Sequence, residues 1–394
     1  MNRPFKAVAI VLMATQGKEC AEAMKIKRTT QSPCSKRVGR FLNACRMSTF
    51  AALALAQGGD AAVVAENAAV TASMASTTGT ESSPSVYVFD NYVKSFSSTE
   101  MHVGNVPGAS WVRLVIRNGA QVSTASYNNR IGSDSASYTN AFNACVVTGA
   151  GTKLTMGSTR LGGMGPSNAL IVEDGATATF TGDFYCGYRN SPVATNNLVL
   201  VDDATLDLGT RRLRLGYGLG HDRNALVVRN GGVLASSTGR IGVRWGKHCD
   251  FRVEGEGSLM EIGYAAADAI RLGESLVDSH HNTVTVADGG TVKITSELGT
   301  LAVQENPNEG GSGVRFAKGF FAVAGDRPTH IPPARAWLWN GDAWEPAPSD
   351  WAGRYFADEA EAAAAGRPGF GGYTVFTGGE PLVGSFRTTL MLMK

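Results

Sequence analysis

A three-residue signature recurs through the middle of this chain and limits what the chain can fold into. It consists of any residue, then Leu, Ile, Val or Cys, then Gly, and successive copies start 25 to 31 residues apart. The eight copies are His102–Gly104, Arg130–Gly132, Arg160–Gly162, Tyr185–Gly187, Arg214–Gly216, Arg240–Gly242, Arg271–Gly273 and Glu297–Gly299. A unit repeated at this period buries its apolar face only by stacking on its neighbours.

A second signature accompanies the first. It starts at Asn, continues with apolar residues at alternate positions, and reaches Gly seven residues after the Asn. Its copies start at Asn143, Asn168, Asn196, Asn224, Asp250 and Asn282. Asp203 takes the Gly position of the copy that starts at Asn196, and the copy that starts at Asn143 has its glycine one residue early, at Gly149. Because stacked Asn side chains can hydrogen-bond to one another, we predict that these residues form a structural ladder.

The apolar residues inside each copy alternate, which is typical of strands, and Gly, Asn or Asp follows where the chain must turn with a positive φ. A propeller blade would need about 40 to 45 residues, and a leucine-rich repeat would need a Leu-rich consensus that is not found here. A β-sandwich would not keep two signatures in fixed phase. The sequence therefore predicts an all-β fold, a parallel β-helix (β-solenoid) of about seven to eight rungs with a small C-terminal cap.

Composition divides the chain into five segments. The first 46 residues carry ten basic and two acidic residues, whereas the remainder has a net charge of about −6, so nothing favours nucleic-acid binding. The small-x-small motif Ala54-Leu55-Ala56 suggests signal cleavage, and no apolar stretch is long enough to be a transmembrane segment. A start at Met24, or a cytoplasmic N-terminal extension, is the alternative. The predicted segments are a leader with a signal peptide (1–56), a low-complexity linker (57–84), the β-solenoid (85–325), a Pro-rich linker (326–336) and a Trp-rich C-terminal cap (337–394).

Arginine precedes the Leu–Gly pair in five copies, at Arg130, Arg160, Arg214, Arg240 and Arg271. Stacked rungs would align these side chains into a stripe able to bind an acidic polysaccharide, since guanidinium groups match carboxylate and sulfate. The alternative is a solvated row offset by nearby carboxylates. Trp337 and Trp339 in the cap suggest a second glycan platform, with a buried capping cluster as its alternative.

Histidines precede the first strand of three successive copies. His221 is followed by Asp222, His248 lies near Asp250, and Asp278 lies near His280 and His281. Stacking would bring His221, His248 and His281 to one edge, where imidazoles could hold a zinc-like ion. The alternative is that turns collect His and Asp for local hydrogen bonding.

No nucleophile motif is found, and we predict no catalytic residue and no cofactor. A carbohydrate-active β-helix, a polysaccharide lyase or hydrolase, is the alternative. It would combine Arg240 or Arg271 with Glu254, Glu256 and Glu261.

Through the Asn-to-Gly and Leu–Gly signatures over about 102–299, the chain resembles bacterial autotransporter-type passengers and related surface β-solenoid proteins. The resemblance implies a secreted or cell-surface protein that is more often an adhesin-like structural element than an enzyme. Its implied partners are a polysaccharide or another surface protein. A glycan-binding module is the further alternative.

Overall fold

The computed structural model describes residues 62–380, apart from 97, 125–126, 134–139, 189–193, 219, 275–278 and 306–307. Within these residues almost all regular structure is β-strand, and the one α-helix is α1 (Glu359–Ala364). Two short 3-10 turns span Asn67–Ala69 and Pro333–Arg335. The strands belong to three sheets, so the predicted all-β class is confirmed.

The three sheets are named here by size. Sheet 1 contains β1 (Ala62–Glu66), β3 (Ser85–Asp90), β6 (Val112–Arg117), β9 (Ala144–Thr148), β12 (Ala169–Glu173), β15 (Leu198–Asp202), β18 (Ala225–Arg229), β21 (Asp250–Glu254), β24 (Thr283–Ala287), β27 (Gly313–Ala317), β29 (Ala336–Trp339) and β30 (Trp344–Pro346). Sheet 2 contains β4 (Val93–Phe96), β7 (Gln121–Thr124), β10 (Lys153–Met156), β13 (Thr177–Phe180), β16 (Thr205–Asp207), β19 (Val233–Ser236), β22 (Leu259–Ile262), β25 (Thr291–Ile294), β28 (Phe320–Ala324), β31 (Arg354–Phe356) and β32 (Tyr373–Thr377). Sheet 3 contains β2 (Ser73–Met74), β5 (His102–Val103), β8 (Asn129–Ile131), β11 (Thr159–Leu161), β14 (Phe184–Tyr188), β17 (Leu213–Tyr217), β20 (Ile241–Val243), β23 (Ile270–Leu272) and β26 (Leu301–Val303).

One coil of the chain contributes one strand to each sheet, in the order sheet 1, sheet 2, sheet 3. From β3 to β26 this order repeats eight times, and every strand lies parallel to its counterpart in the next coil. The chain is therefore a parallel β-solenoid of about eight turns, as the two signatures predicted.

Alternation within each strand builds the core between the three sheets. In β12, Leu170 and Val172 point inward and are fully buried. Leu170 lies opposite Cys145 in the preceding coil and opposite Val199 in the following coil, so similar side chains form a continuous column. Burial raises the pKa of the Cys145 thiol to about 12. Cys145, Cys186 and Cys249 are buried free thiols, so apolar stacking rather than a disulfide framework stabilises the described coils.

The corner between sheets 1 and 2 turns through residues of positive φ. Asp174 and Gly175 have φ values of 54° and 78°, and Asp288 and Gly289 repeat the conformation with 49° and 88°. Gly has no Cβ to clash in this region, and Asp or Asn tolerates it better than most residues. The predicted role of Gly, Asn and Asp at this corner is confirmed.

The predicted asparagine ladder lies at the corner that leads into sheet 1. The Asn143 side chain donates to Oδ1 of Asn168 at 3.1 Å, Asn168 donates to Asn197 at 3.3 Å, and Asn197 donates to Asn224 at 2.9 Å. In each step the same oxygen also accepts the backbone N–H of the preceding ladder residue. These side chains are almost completely buried, so the ladder supplies the corner with acceptors that water cannot provide.

Two copies of this signature were assigned one residue out of register. Strand pairing aligns Ala169 with Leu198, which places Asn197 rather than Asn196 in the ladder. Asp250 pairs with Ala225, so Cys249 holds the ladder position in that coil. In the first copy two asparagines are adjacent, and in the second Cys249 takes the ladder position while the polar Asp250 follows it, so the sequence spacing favours the wrong neighbour in both.

The glycine of the first signature makes room for the ladder. A Cβ on Gly132 would lie 2.8 Å from the side chain of Asn168, well inside van der Waals contact, and Gly132 also has a φ of 85°. Gly162 has the same relation to Asn197. The glycine at the end of one coil therefore lies against the Asn at the start of the second coil after it. This steric requirement explains why the two signatures occur together.

The last copy of the first signature was also assigned wrongly. Glu297–Gly299 lies before β26 rather than inside it, and Leu298 is an exposed residue. Ala302 pairs with Arg271 and therefore occupies, in that coil, the position of the predicted arginine stripe.

The residues after β28 close the end of the solenoid. β29 continues sheet 1 in parallel with β27, whereas β32 pairs antiparallel with β28 in sheet 2. β30 and β31 pair antiparallel with β29 and β32. Ile331, within the predicted Pro-rich linker (326–336), is buried in the same core as the coils. The backbone N–H of Leu301 donates to Nε2 of His330 at 3.1 Å, which supplies an acceptor to the last strand of sheet 3.

No helix within the described part of the chain has the length and apolar character needed to cross a membrane.

Candidate functional site

The outer face of sheet 3 carries most of the predicted arginine row. Arg214 lies between Leu213 and Leu215, which are both fully buried, so its side chain points away from the core. Strand pairing places Arg130 opposite Arg160, and Tyr185 between Arg160 and Arg214. Side chains in such a row stand about one strand spacing apart, roughly 4.8 Å.

Arg240 does not belong to this row. Leu213 pairs with Ile241, so Gly242 takes the place opposite Arg214 and opposite Arg271. Arg240 precedes β20 by one residue and reaches the same face from the corner. The structure thus brings Arg130, Arg160, Arg214 and Arg271 into one row and puts Arg240 beside it.

A second row on the same face is aromatic, and the sequence did not predict it. Tyr188 pairs with Tyr217 across β14 and β17, with ring centroids 5.4 Å apart and planes only 2° from parallel. Trp245 in the next coil lies 6.2 Å from Tyr217. Tyr185 contacts Tyr188 at 5.1 Å and Tyr217 at 4.8 Å. The available signal was a Tyr directly after the signature glycine in two consecutive copies.

Arginine side chains lie on these rings. The Arg160 guanidinium lies 4.1 Å from the Tyr188 ring centroid, and Arg214 lies 5.0 Å from that of Tyr217. Arg244 contacts both Tyr217, at 4.6 Å, and Trp245, at 4.1 Å. Such cation–π contacts hold these long side chains in place on the ring faces. The arginine–aromatic face is defined by Arg160, Tyr185, Tyr188, Arg214, Tyr217, Arg240, Arg244, Trp245, Asp268, Arg271 and Glu274.

Two carboxylates of this face form ion pairs with four guanidinium groups. Glu274 lies 3.9 Å from Arg214, 3.7 Å from Arg240 and 2.9 Å from Arg244. Asp268 lies 3.1 Å from Arg240 and 3.2 Å from Arg271. These six described residues therefore carry more positive than negative charge at pH 7. A half-buried group of this kind attracts anions more strongly than separate surface arginines do.

Tyr185 stays protonated on this face. Burial, together with the nearby Asp183 carboxylate, raises the pKa of its phenol to about 12. The hydroxyl donates to Oδ2 of Asp183 at 3.1 Å. This hydrogen bond fixes the Tyr185 ring between Arg160 and Arg214.

Trp337 and Trp339 lie on β29, on the outer face of sheet 1 rather than beside the arginines. Trp339 is 7 % exposed and packs against Trp344 with ring centroids 5.3 Å apart. Trp337 is half-buried and covers Gly313. The two indoles therefore contribute to the cap, and the buried Trp339 ring offers no open platform, whereas the half-buried Trp337 ring stays a predicted glycan contact.

The predicted histidines separate into two places. His248 and His281 lie together, with ring centroids 5.1 Å apart, and His280 joins them at 5.3 Å from His248. His221 is fully buried beside Gly187, at the level of the asparagine ladder. The structure therefore replaces His221 by His280 in this group, here named the histidine cluster. Asp278 lies outside the described residues.

Burial is the main cause that lowers the pKa values of His280 and His281, and the Glu309 carboxylate acts in the opposite direction. A lowered pKa favours the neutral imidazole, which is the form that binds metals. Nδ1–H of His248 donates to Oδ1 of Asp222 at 2.9 Å.

The residues of the enzymatic alternative do not converge. Glu254 belongs to β21 in sheet 1 and Glu261 to β22 in sheet 2, whereas Arg271 belongs to β23 in sheet 3. Glu256 lies at the corner between β21 and β22. Outward side chains of different sheets point to different sides of the solenoid, so these groups cannot act on one bond.

A separate charged group lies on sheet 1. Glu173 lies in register with Asp202, which in turn pairs with Arg229, whose Nε donates to it at 2.9 Å. Burial, with smaller contributions from Asp174 and Asp202, raises the pKa of Glu173 to about 7. This group could exchange a proton near neutral pH, but the partner that a general acid–base pair would need is already bound to Arg229.

No protein-family model matches this chain, and no curated protein or solved structure matches it significantly. The fold and the surface chemistry therefore define its class: a parallel β-solenoid protein with an arginine-rich, aromatic outer face on one sheet.

Proposed function

We propose that this chain is an exported, non-enzymatic surface protein, adhesin-like in architecture, that binds an anionic polysaccharide on its arginine–aromatic face. One observation carries the proposal: four guanidinium groups, those of Arg214, Arg240, Arg244 and Arg271, share two carboxylates on a single sheet face. Carboxylate or sulfate groups along a polymer would supply the missing negative charge.

Rigidity supports this proposal. The ring contacts of Arg160, Arg214 and Arg244 restrict the conformations of these side chains, so less side-chain entropy is lost when an anion binds. The face runs along the stacking direction of the coils, which suits a linear polymer better than a compact ligand. A repeating ligand could contact several coils at once, and each contact would add to the affinity.

Export and surface display are part of the proposal because the chain resembles autotransporter-type passengers and its N-terminal sequence has the features of a signal peptide. The carbohydrate-active alternative is less well supported, since its carboxylates lie on different sheets from its arginines. Stacked coils that share one continuous core can serve as a rigid scaffold.

Affinity electrophoresis of the full chain in gels that contain heparin, polygalacturonate or neutral dextran tests the binding. We expect retardation by one or both anionic polymers, none by dextran, and loss of retardation as salt is added. If each guanidinium contributes about 1 kcal/mol, the double variant Arg214→Gln/Arg244→Gln should bind roughly 30-fold more weakly.

Arg117→Gln is the matched control. It removes one positive charge from sheet 1, half the change in the double variant, at a position where Arg117 pairs with Asp90 at 2.8 Å. It should leave the affinity within about twofold. Equal loss in both variants would show that binding depends on overall charge, and absence of retardation by either anionic polymer would refute the proposal. Reducing-end release from either polymer would support the enzymatic alternative instead.

Antibody labelling of intact cells that express the chain natively tests the surface location. Labelling without permeabilisation is expected. Labelling that requires lysis would contradict export.

A further inference from the structure

The histidine cluster lies at the corner that leads from sheet 3 into sheet 1, and the function proposed above does not involve it. His248 precedes Cys249, and His281 precedes Asn282, so the two residues occupy the same position in successive coils. Both have the left-handed backbone that this corner requires, with φ values of 52° and 53°. Stacking of the coils therefore places one imidazole over the other, with planes 22° apart.

His280 completes the cluster from the residue before His281. Its Nδ1 lies 2.7 Å from Nδ1 of His281. One ligand atom from each of the three imidazoles can be chosen so that all three lie within 4.8 Å of one another. Ligand nitrogens on a tetrahedral zinc ion lie about 3.3 Å from one another. Side-chain rotations would therefore have to shorten the widest separation in the cluster and lengthen the 2.7 Å contact between His280 and His281.

Carboxylates orient two of the three rings. Glu309 Oε2 lies 2.6 Å from Nε2 of His280, which places the proton of His280 on Nε2 and leaves the Nδ1 lone pair directed at the cluster. Asp222 likewise engages Nδ1 of His248 at 2.9 Å and leaves Nε2 as the ligand atom. A carboxylate behind a ligating histidine fixes its tautomer and increases its basicity, which is the usual second layer of a metal site.

We infer that His248, His280 and His281 form a binding site for a divalent transition metal of the zinc type, with Asp222 and Glu309 as its outer partners. Three nitrogen ligands suit zinc, and they leave a position for solvent or an exogenous ligand. The ion would join the turns of successive coils, and the two carboxylates would offset its charge.

Ordinary turn chemistry does not account for this convergence. His102 also has a carboxylate partner, Glu100 at 3.0 Å, but it belongs to no such group. Across the described residues, the histidine cluster is the one set of three His, Cys, Asp or Glu side chains whose ligand atoms approach in this way.

The test uses the full chain after removal of any affinity tag and of bound metal with EDTA. Zn²⁺ is titrated by calorimetry, and Co²⁺ is added separately to record its visible ligand-field spectrum. We expect one equivalent of Zn²⁺, a Co²⁺ spectrum with nitrogen ligation, no binding of Mg²⁺, and a higher thermal midpoint when Zn²⁺ is present.

Three variants separate the site from unspecific histidine binding. His248→Asn and His281→Asn keep a residue that tolerates positive φ, and each should abolish stoichiometric binding. Glu309→Gln leaves all three ligands in place and should weaken Zn²⁺ binding roughly 10- to 100-fold. His102→Gln is the control and should bind as the parent chain does.

Circular dichroism shows whether each variant remains folded. If a histidine variant unfolds, the Glu309→Gln measurement and the parent stoichiometry decide the question. Fewer than one equivalent of Zn²⁺ on the parent chain would overturn the inference. Equal affinity in the parent chain and in the folded His248→Asn and His281→Asn variants would also overturn it.

Discussion

Replacing Asn197 by Ala tests the ladder and its register together. The Asn197 side chain is 1 % exposed. Its Oδ1 accepts the backbone N–H of Asn168 at 2.9 Å and the Asn168 amide at 3.3 Å, and its own amide donates to Asn224 at 2.9 Å. Alanine can replace none of these contacts.

The largest cost comes from one backbone group. The Asn168 amide keeps other acceptors, including the carbonyl of Gly165 at 3.1 Å, and Oδ1 of Asn224 keeps the backbone N–H of Asn197. The backbone N–H of Asn168 loses the acceptor that Oδ1 of Asn197 provides. A buried unsatisfied N–H costs about 1 to 3 kcal/mol, and the lost bond to Asn224 adds about 1 kcal/mol. We therefore expect the free energy of unfolding to fall by about 2 to 4 kcal/mol.

Urea unfolding followed by far-ultraviolet circular dichroism measures this change, with slopes compared to check that unfolding stays cooperative. Asn196→Gly is the matched control. Asn196 has a φ of 55°, which Gly adopts without strain, and the ladder does not use its side chain. This variant should lie within about 0.5 kcal/mol of the parent. Equal destabilisation of the two variants, or a greater loss in Asn196→Gly, would refute the register and the energetic argument.

Two further predictions concern pH. Burial lowers the pKa of His330 to about 4, below the unfolded value of 6.5, so its contribution to stability is present above pH 6.5 and is lost as the pH falls toward 4. The free energy of unfolding falls by at most about 3 kcal/mol over this range. In His330→Gln the amide oxygen can still accept the backbone N–H of Leu301. The thermal midpoint of this variant should therefore depend less on acid pH than that of the parent chain. Glu173 has the opposite sign, because its raised pKa means that stability is present below about pH 4.5 and is lost as the pH rises through about 7. Glu173→Gln should therefore stabilise the chain by about 1 kcal/mol at pH 8, after allowance for solvent screening, and by nothing at pH 4; a loss of stability at pH 8 would contradict this assignment.

The sequence was sufficient to predict the solenoid because stacking imposes the same requirements on every coil. Inward positions such as Leu170 must be apolar, and corners such as Asp174 and Gly175 must accept a positive φ. These requirements recur at each turn, so they are visible as periodic signatures without any long-range information. The number of coils followed from the number of copies.

Register was the part that sequence could not settle. The segments between strands differ in length, so a copy can be aligned one residue early or late with little change in spacing. Asn196 shows such a shift, since Asn197 holds the ladder position, and Arg240 shows a larger one, since Gly242, two residues later, holds the row position. A shift of one residue sends a side chain to the opposite face of a strand, so each such error changes a predicted site.

The sites that sequence analysis missed depend on contacts between coils. Tyr188 and Tyr217 are 29 residues apart in the chain, and only the pairing of β14 with β17 brings their rings together. Similarly, the sequence does not distinguish His280 from His221, because both precede a strand and only the corner geometry separates them. A residue pattern can indicate which coil carries a side chain, but the pairing decides which neighbour it meets.

One rule accounts for the ladder, the aromatic row and the histidine cluster. A residue type that returns at the same position in successive coils becomes a stack with a spacing of about 4.8 Å. Inside the core this produces columns of Leu and Val, at the buried corner it produces the bonded Asn side chains, and outside it produces paired Tyr or His rings. A single change of residue type therefore interrupts a stack without altering the backbone, as Cys249 does between Asn224 and Asn282. Function on this fold can consequently be gained or lost one coil at a time, while the core columns continue to determine stability.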